Sequence, residues 1–132
     1  MNSEIPPKPS APILARSPAL GVDVLQRLWT SLDSHFRTQS PVPARTARLT
    51  AGGRQKMAKK LVEEAGEAAL AAAITDRDEL IAESADLLYH LMVLWASLEI
   101  APEEVWAEMQ AREAAYGLAE KRAKHVDLNF SK

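Results

Sequence analysis

The segment from Leu80 to Leu98 constrains the fold more than any other part of the sequence, because it is apolar nearly all the way round a helix and yet carries one acidic stripe. At about 100° per residue, Glu79, Glu83, Asp86 and His90 fall on a strip roughly 60° wide. A helix with so little polar surface must be buried on most sides. Ionised carboxylates are costly to desolvate alone, so Glu83 and Asp86 must face water, a cation or a basic side chain. Being three residues apart, they point the same way.

The preceding segment, from about Arg54 to Ile74, predicts a second helix with two stripes. Lys56, Lys60, Glu63, Glu64 and Glu67 fall within an arc of roughly 100°, and Met57, Leu61, Ala65, Ala68 and Ala72 form a separate apolar arc. Taken alone, this is an ordinary amphipathic helix with a solvated acidic face. Thr75-Asp76-Arg77-Asp78-Glu79 reads as a turn into the next helix, with Asp76 as cap and Glu79 three residues on. If the two helices pack antiparallel across Thr75, their acid pairs meet. Glu64 and Asp86 each lie 11 residues from Thr75, and Glu67 and Glu83 each lie 8. Four converging carboxylates repel unless a cation sits among them. An oxygen-only ligand set favours a hard ion, Mg²⁺ or Mn²⁺, which in turn favours phosphate chemistry. The alternative is a polar seam bridged by lysine or arginine.

The remaining pattern is helical too. Val24, Leu25, Leu28, Trp29 and Leu32 recur at helical spacing and predict a first helix ending near Phe36, before Ser40-Pro41-Val42-Pro43 breaks it. Thr46 to Gly53 reads as a loop or short turn. Ala101-Pro102-Glu103-Glu104 opens a last helix whose apolar stripe is Val105, Trp106, Met109 and Tyr116. The expected fold is all-α, a four-to-five-helix bundle over residues 21–124. A proline-rich arm over 1–20, holding five of the eight prolines, precedes it, and a polar tail over 125–132 follows. Aromatics are only 5% of the chain, which disfavours a β-sandwich. No cysteine is present, so disulfides, thiolate zinc sites and a cysteine nucleophile are excluded. A net charge of −2 offers no global attraction for nucleic acid or an anionic membrane. The longest apolar run is too short to span a bilayer, and the proline arm does not read as a signal peptide, so a cytoplasmic protein is expected.

Basic residues near the acids suit a nucleotide polyphosphate. Lys56 and Lys60 stand on the acidic face, one and two turns before Glu63, where they can meet phosphate oxygens or simply serve solubility. Lys59 lies off that arc. Arg45, Arg48 and Arg54 flank Gly52-Gly53 in a segment suited to receive an anion ahead of a helix N-terminus. His90 reads either as a partner of a carboxylate or as a buried histidine hydrogen-bonded within the bundle. Trp29, Trp95 and Trp106 read as core or subunit-interface residues.

Glu63-Glu64-x-x-Glu67, fifteen residues, then Glu83-x-x-Asp86 resembles the signature of the all-α nucleoside triphosphate pyrophosphohydrolases, the MazG-like superfamily. Lys56-Met57-Ala58-Lys59-Lys60-Leu61-Val62-Glu63-Glu64 and Ala85-Asp86-Leu87-Leu88-Tyr89-His90-Leu91 more narrowly resemble the phosphoribosyl-ATP pyrophosphatases of histidine biosynthesis, over roughly residues 24–112. The resemblance implies Mg²⁺ on Glu64, Glu67, Glu83 and Asp86, and Glu63 or Glu64 as the carboxylate that handles the attacking water. It implies nucleotide binding through Thr46, Arg54, Lys56 and Lys60, and a homodimer or higher assembly. The chain departs from the family where a Ser-Tyr-Thr segment is usual, since Ala44-Arg45-Thr46 stands there, and Gln55 replaces a common Asp. Two rivals follow from these departures: a house-cleaning hydrolase of other nucleoside triphosphates, and an inactive helical interaction module.

Overall fold

A computed structural model describes Gly21 and residues 23–116; the expected arm over 1–20 and tail over 125–132 lie outside the described residues. Five helices follow one another: α1 (Asp23–Thr38), α2 (Ala44–Ala51), α3 (Gly53–Ala73), α4 (Arg77–Ser97) and α5 (Pro102–Tyr116). The described residues are all-α, as the composition led one to expect. None of these helices is long and apolar enough to cross a membrane.

The stretch read as a loop at Thr46–Gly53 is instead the helix α2. Pro43 supplies the break before it, its carbonyl receiving the Ala47 N–H at 3.0 Å. Thr46 and Leu49, three residues apart, then bury one face of the helix. Ala, Arg and Leu are good helix formers, and the glycine pair only ends the helix rather than unwinding the whole segment. Gly53, at φ +83°, lets the chain turn from α2 into α3.

The α3–α4 turn is short and well specified. The Asp76 N–H donates to the Ala71 carbonyl at 3.0 Å and the Thr75 N–H to Ala72 at 3.1 Å, a Schellman closure. Asp76 then caps α4 by accepting the Glu79 N–H on Oδ1 at 3.1 Å. Thr75 sits at φ 57°, a left-handed conformation unfavourable for a β-branched residue. Thr75→Gly is expected to stabilise the fold by up to about 1 kcal/mol in urea unfolding. A glycine variant that melts earlier would show that Thr75 is not strained.

Helix α4 is the central element, lying against α3 along their length and also against α1. The core is Leu32, Leu49, Met57, Met92, Val93 and Ala96, with Leu25, Leu28, Trp29, Phe36, Tyr89, Leu94 and Trp95 packed around it. The start of α5 is fixed by the Trp29 indole N–H, which donates to the Ile100 carbonyl at 2.8 Å, and by the buried Pro102. Trp106 meets Trp95 edge to face. The three tryptophans thus serve packing.

Two expectations about burial are corrected. The inward face of α3 is Met57, Glu64, Ala68 and Ala71, while Ala65 and Ala72 are exposed. The core-facing direction lies between the two sequence stripes, which brings Glu64 inward. Helix α4 is also not covered on most sides. Ile81 (55% exposed) and Leu88 (42%) face outward, because α1 and α3 together cover only part of its circumference.

Candidate active site

The antiparallel return of α4 along α3 produces the acidic meeting point. Carboxylate oxygens of Glu64, Glu83 and Asp86 all lie within 4.8 Å of one another. Glu64 and Glu83 are buried and Asp86 is half-buried. Glu83 Oε2 is buried and has no hydrogen-bond partner among the described residues. The adjacent Glu64 carboxylate, its desolvated position and the neighbouring Glu67 and Glu79 push the Glu83 pKa up to about 8. Such repulsion is relieved by a cation. Neighbouring oxygens around Mg²⁺ stand ~3.0 Å apart at an ion–oxygen distance of ~2.1 Å, so carboxylates already within 4.8 Å of one another can draw in around a hard divalent ion. Glu67 borders Glu83 but lies outside the trio and is exposed.

A cationic cavity of about 160 Å³ adjoins the trio, lined by Arg45, Arg48, Leu49, Lys56, Lys60 and His90. Whole drug-sized ligands occupy roughly 300–1,000 Å³, so this space suits phosphate groups rather than a complete nucleotide. His90 links cavity and trio: it is buried, with Nε2 3.8 Å from Glu64 Oε1. Among the described residues neither ring nitrogen has a hydrogen-bond partner, so the expected hydrogen bond within the bundle is not found there. Burial holds the imidazole below its ordinary pKa against the opposing pull of Glu64, and it is neutral at pH 7.

The cavity wall is built by α2 and the first turns of α3. Lys56 Nζ donates to the Arg48 carbonyl at 3.3 Å. Its stem lies so close to Gly52 that a Cβ there would clash with Lys56 Cδ, so glycine is what admits the lysine in this pose. Lys60 pairs with Glu63 at 3.0 Å. That hydrogen bond raises the Lys60 pKa and keeps Glu63 below the usual carboxylate range. Glu63 therefore stands exposed beside Lys60, outside the trio. Thr46 is buried, and its hydroxyl shares a hydrogen bond with the Tyr89 hydroxyl, which fastens α2 to α4. Arg54 is not brought to this cavity. Its guanidinium reaches the Ser97 carbonyl at 3.5 Å and lines a separate space with Asp33, Phe36, Arg37 and Glu99. Sequence reasoning placed Arg45 and Arg48 only in a loosely basic loop. The helical spacing that sends both toward the cavity was obscured by the neighbouring glycines.

Fold and site together define a class: an all-helical protein whose central helix pair offers oxygen ligands beside a cationic cavity. Residues 30–113 match the family Phosphoribosyl-ATP pyrophosphohydrolase. Among curated relatives, "Phosphoribosyl-ATP pyrophosphatase" of Gluconobacter oxydans is 48% identical over 101 residues, covering 76% of this chain and 75% of the relative. "Phosphoribosyl-ATP pyrophosphatase 2" of Rhodopseudomonas palustris is 51% identical over 102 residues, 77% of each chain. The protein of the same name from Bradyrhizobium diazoefficiens is 50% identical over 102 residues, 77% of this chain and 75% of that one. The chain belongs to the phosphoribosyl-ATP pyrophosphohydrolase family, within the MazG-like all-α superfamily.

Proposed function

We propose that this chain hydrolyses phosphoribosyl-ATP between its α and β phosphates, giving phosphoribosyl-AMP and pyrophosphate, with Mg²⁺ as the working ion and Mn²⁺ able to replace it. The observation that carries this reading is the carboxylate trio with its orphaned Glu83 oxygen, set against a cationic cavity of phosphate size. Glu64, Glu83 and Asp86 would hold the ion, with Glu67 completing the set from beside Glu83. Such an ion neutralises polyphosphate charge and lowers the pKa of a bound water.

The chain's own groups supply the rest. Lys56 and Lys60 offset negative charge on the phosphates, assisted by Arg48. Glu63, kept ionised by Lys60, or Glu64 orients the attacking water and takes its proton. As the water oxygen bonds to phosphorus, the bridging P–O bond breaks and pyrophosphate leaves. Thr46 acts through Tyr89 by holding the α2 wall in place. Such a substrate would be met in the cytoplasm.

The test is magnesium-dependent pyrophosphate release from phosphoribosyl-ATP and from the four common nucleoside triphosphates. Preference for phosphoribosyl-ATP by at least about a hundredfold in kcat/KM is expected, the discrimination that contacts to an added polar group afford. Equal or better turnover of an ordinary triphosphate would favour a house-cleaning hydrolase, and no turnover on any would favour an inactive module.

The same reading includes a homodimer or higher assembly. Ile81, Ala85 and Leu88 form an outward apolar stripe on α4, within a shallow groove completed by Arg77, Leu80 and Ser84. This exposed apolar stripe supports the reading of a subunit interface. Light scattering on the wild type should give a multiple of the 14.5 kDa chain mass, and Ile81→Glu with Leu88→Glu should reduce it. A wild-type monomer at micromolar concentration would reject the assembly.

A further inference from the structure

Among the described residues, Arg45 is a cation that joins the two halves of the site through an ion pair with the trio and a place in the cavity wall. Its Nη2 stands 3.6 Å from Asp86 Oδ1, and its guanidinium carbon lies 5.5 Å from the centre of the Tyr89 ring. It also lines the cationic cavity with Arg48, Lys56 and Lys60. Its backbone is held by the neighbouring Thr46–Tyr89 hydrogen bond, while 63% of its side chain is exposed and free to reorient. Asp86 is a member of the trio suited to a divalent ion. A guanidinium and a divalent ion repel each other and compete for the same carboxylate.

We propose that Arg45 is a polyphosphate ligand that exchanges Asp86 for the nucleotide when the carboxylates take up their metal, so that one guanidinium couples metal loading to phosphate binding. This rests on the phosphoribosyl-ATP reading above. Released from Asp86, Arg45 has Arg48, Lys56 and Lys60 as neighbours in the cavity, and an anion there replaces the lost ion pair. Arginine suits this exchange because its planar fork serves carboxylate and phosphate oxygens alike and stacks on Tyr89 in either pose. Reciprocity then requires that the nucleotide also tighten the metal.

The test uses Arg45→Gln and Arg45→Lys in the full chain, with two readouts. In calorimetric titration with Mn²⁺ alone, Arg45→Gln should bind about two- to fivefold more tightly than wild type, the scale of an exposed ion pair removed. With phosphoribosyl-ATP and saturating Mg²⁺, its KM should rise at least about tenfold, with kcat changed less, as expected for a lost charged hydrogen bond to bound phosphate. Arg45→Lys, keeping the charge, should recover part of both effects. Mn²⁺ affinity and KM both within twofold of wild type in Arg45→Gln would overturn the proposal. Turnover by the wild type tells that failure apart from failure of the functional reading, which would show as no hydrolysis by any of the proteins.

Discussion

Asp86→Asn is expected to lower turnover on phosphoribosyl-ATP by on the order of a thousandfold, because a metal's stabilisation of transition-state charge amounts to several kcal/mol. Asp86 is the half-buried member of the trio, so the substitution leaves the helical packing in place. Asparagine keeps the shape and one carbonyl oxygen but removes the negative charge and one potential ligand. Far-UV circular dichroism should therefore overlay on the wild type while pyrophosphate release disappears. Glu67 tests the edge of the set, since it is exposed and stands beside Glu83 rather than within the trio. A graded loss in Glu67→Gln would assign it a supporting place. An Asp86→Asn protein that keeps full activity would remove the trio from the reaction altogether.

The second large effect is on stability. Three carboxyl groups within 4.8 Å are held together by the packing of α3 on α4 against their own repulsion. A metal at a hundred times its dissociation constant stabilises by about 2.7 kcal/mol. For a domain of this size that is a rise in Tm on the order of 10 °C. Mn²⁺ or Mg²⁺ should produce it, and Glu83→Gln should abolish most of it. The same substitution should raise the Tm of the metal-free protein above wild type. The sign follows from linkage. The Glu83 pKa is raised from its ordinary value of 4.5 to about 8, so the folded state holds a proton there that the unfolded chain has released. Wild-type stability without metal accordingly falls as pH rises from about 4.5 through 8 and flattens above it. Glutamine has no such titration, and the advantage of the variant should be greatest at pH 8 and above. If Glu83→Gln melts below wild type at pH 9 without metal, Glu83 is a packing residue rather than a strained ligand.

That pairing of effects, a variant more stable and less able to bind metal, is the expected signature of a site built against local stability. The Glu83 oxygen and the His90 nitrogens, without hydrogen bonds among the described residues, belong to the same pattern, polar atoms buried in positions that packing alone does not explain.

How much of this was legible beforehand differs by element. The acids were legible because helical periodicity is set locally: Glu83 and Asp86 share a face of α4 whatever surrounds it. The three-residue turn capped by Asp76 then allows only an antiparallel return. Family membership was equally legible, carried by two short strings of residues in α3 and α4. The helix α2 was not, because a glycine pair at its end outweighed the burial of Thr46 and Leu49, and that burial depends on a core formed by distant residues.

Sequence alone therefore determined that the chain would be helical and that two of its helices would carry acids able to face one another, a set consistent with a divalent metal. Tertiary structure decided which acids meet, since Glu64 turns inward beside Ala68 and Ala71 while Glu63 stays outside with Lys60. It also sent Arg54 to a different space and brought Arg45 onto Asp86. The reason is that a helix fixes angular spacing along itself, but which of its faces points inward is set only by what packs against it.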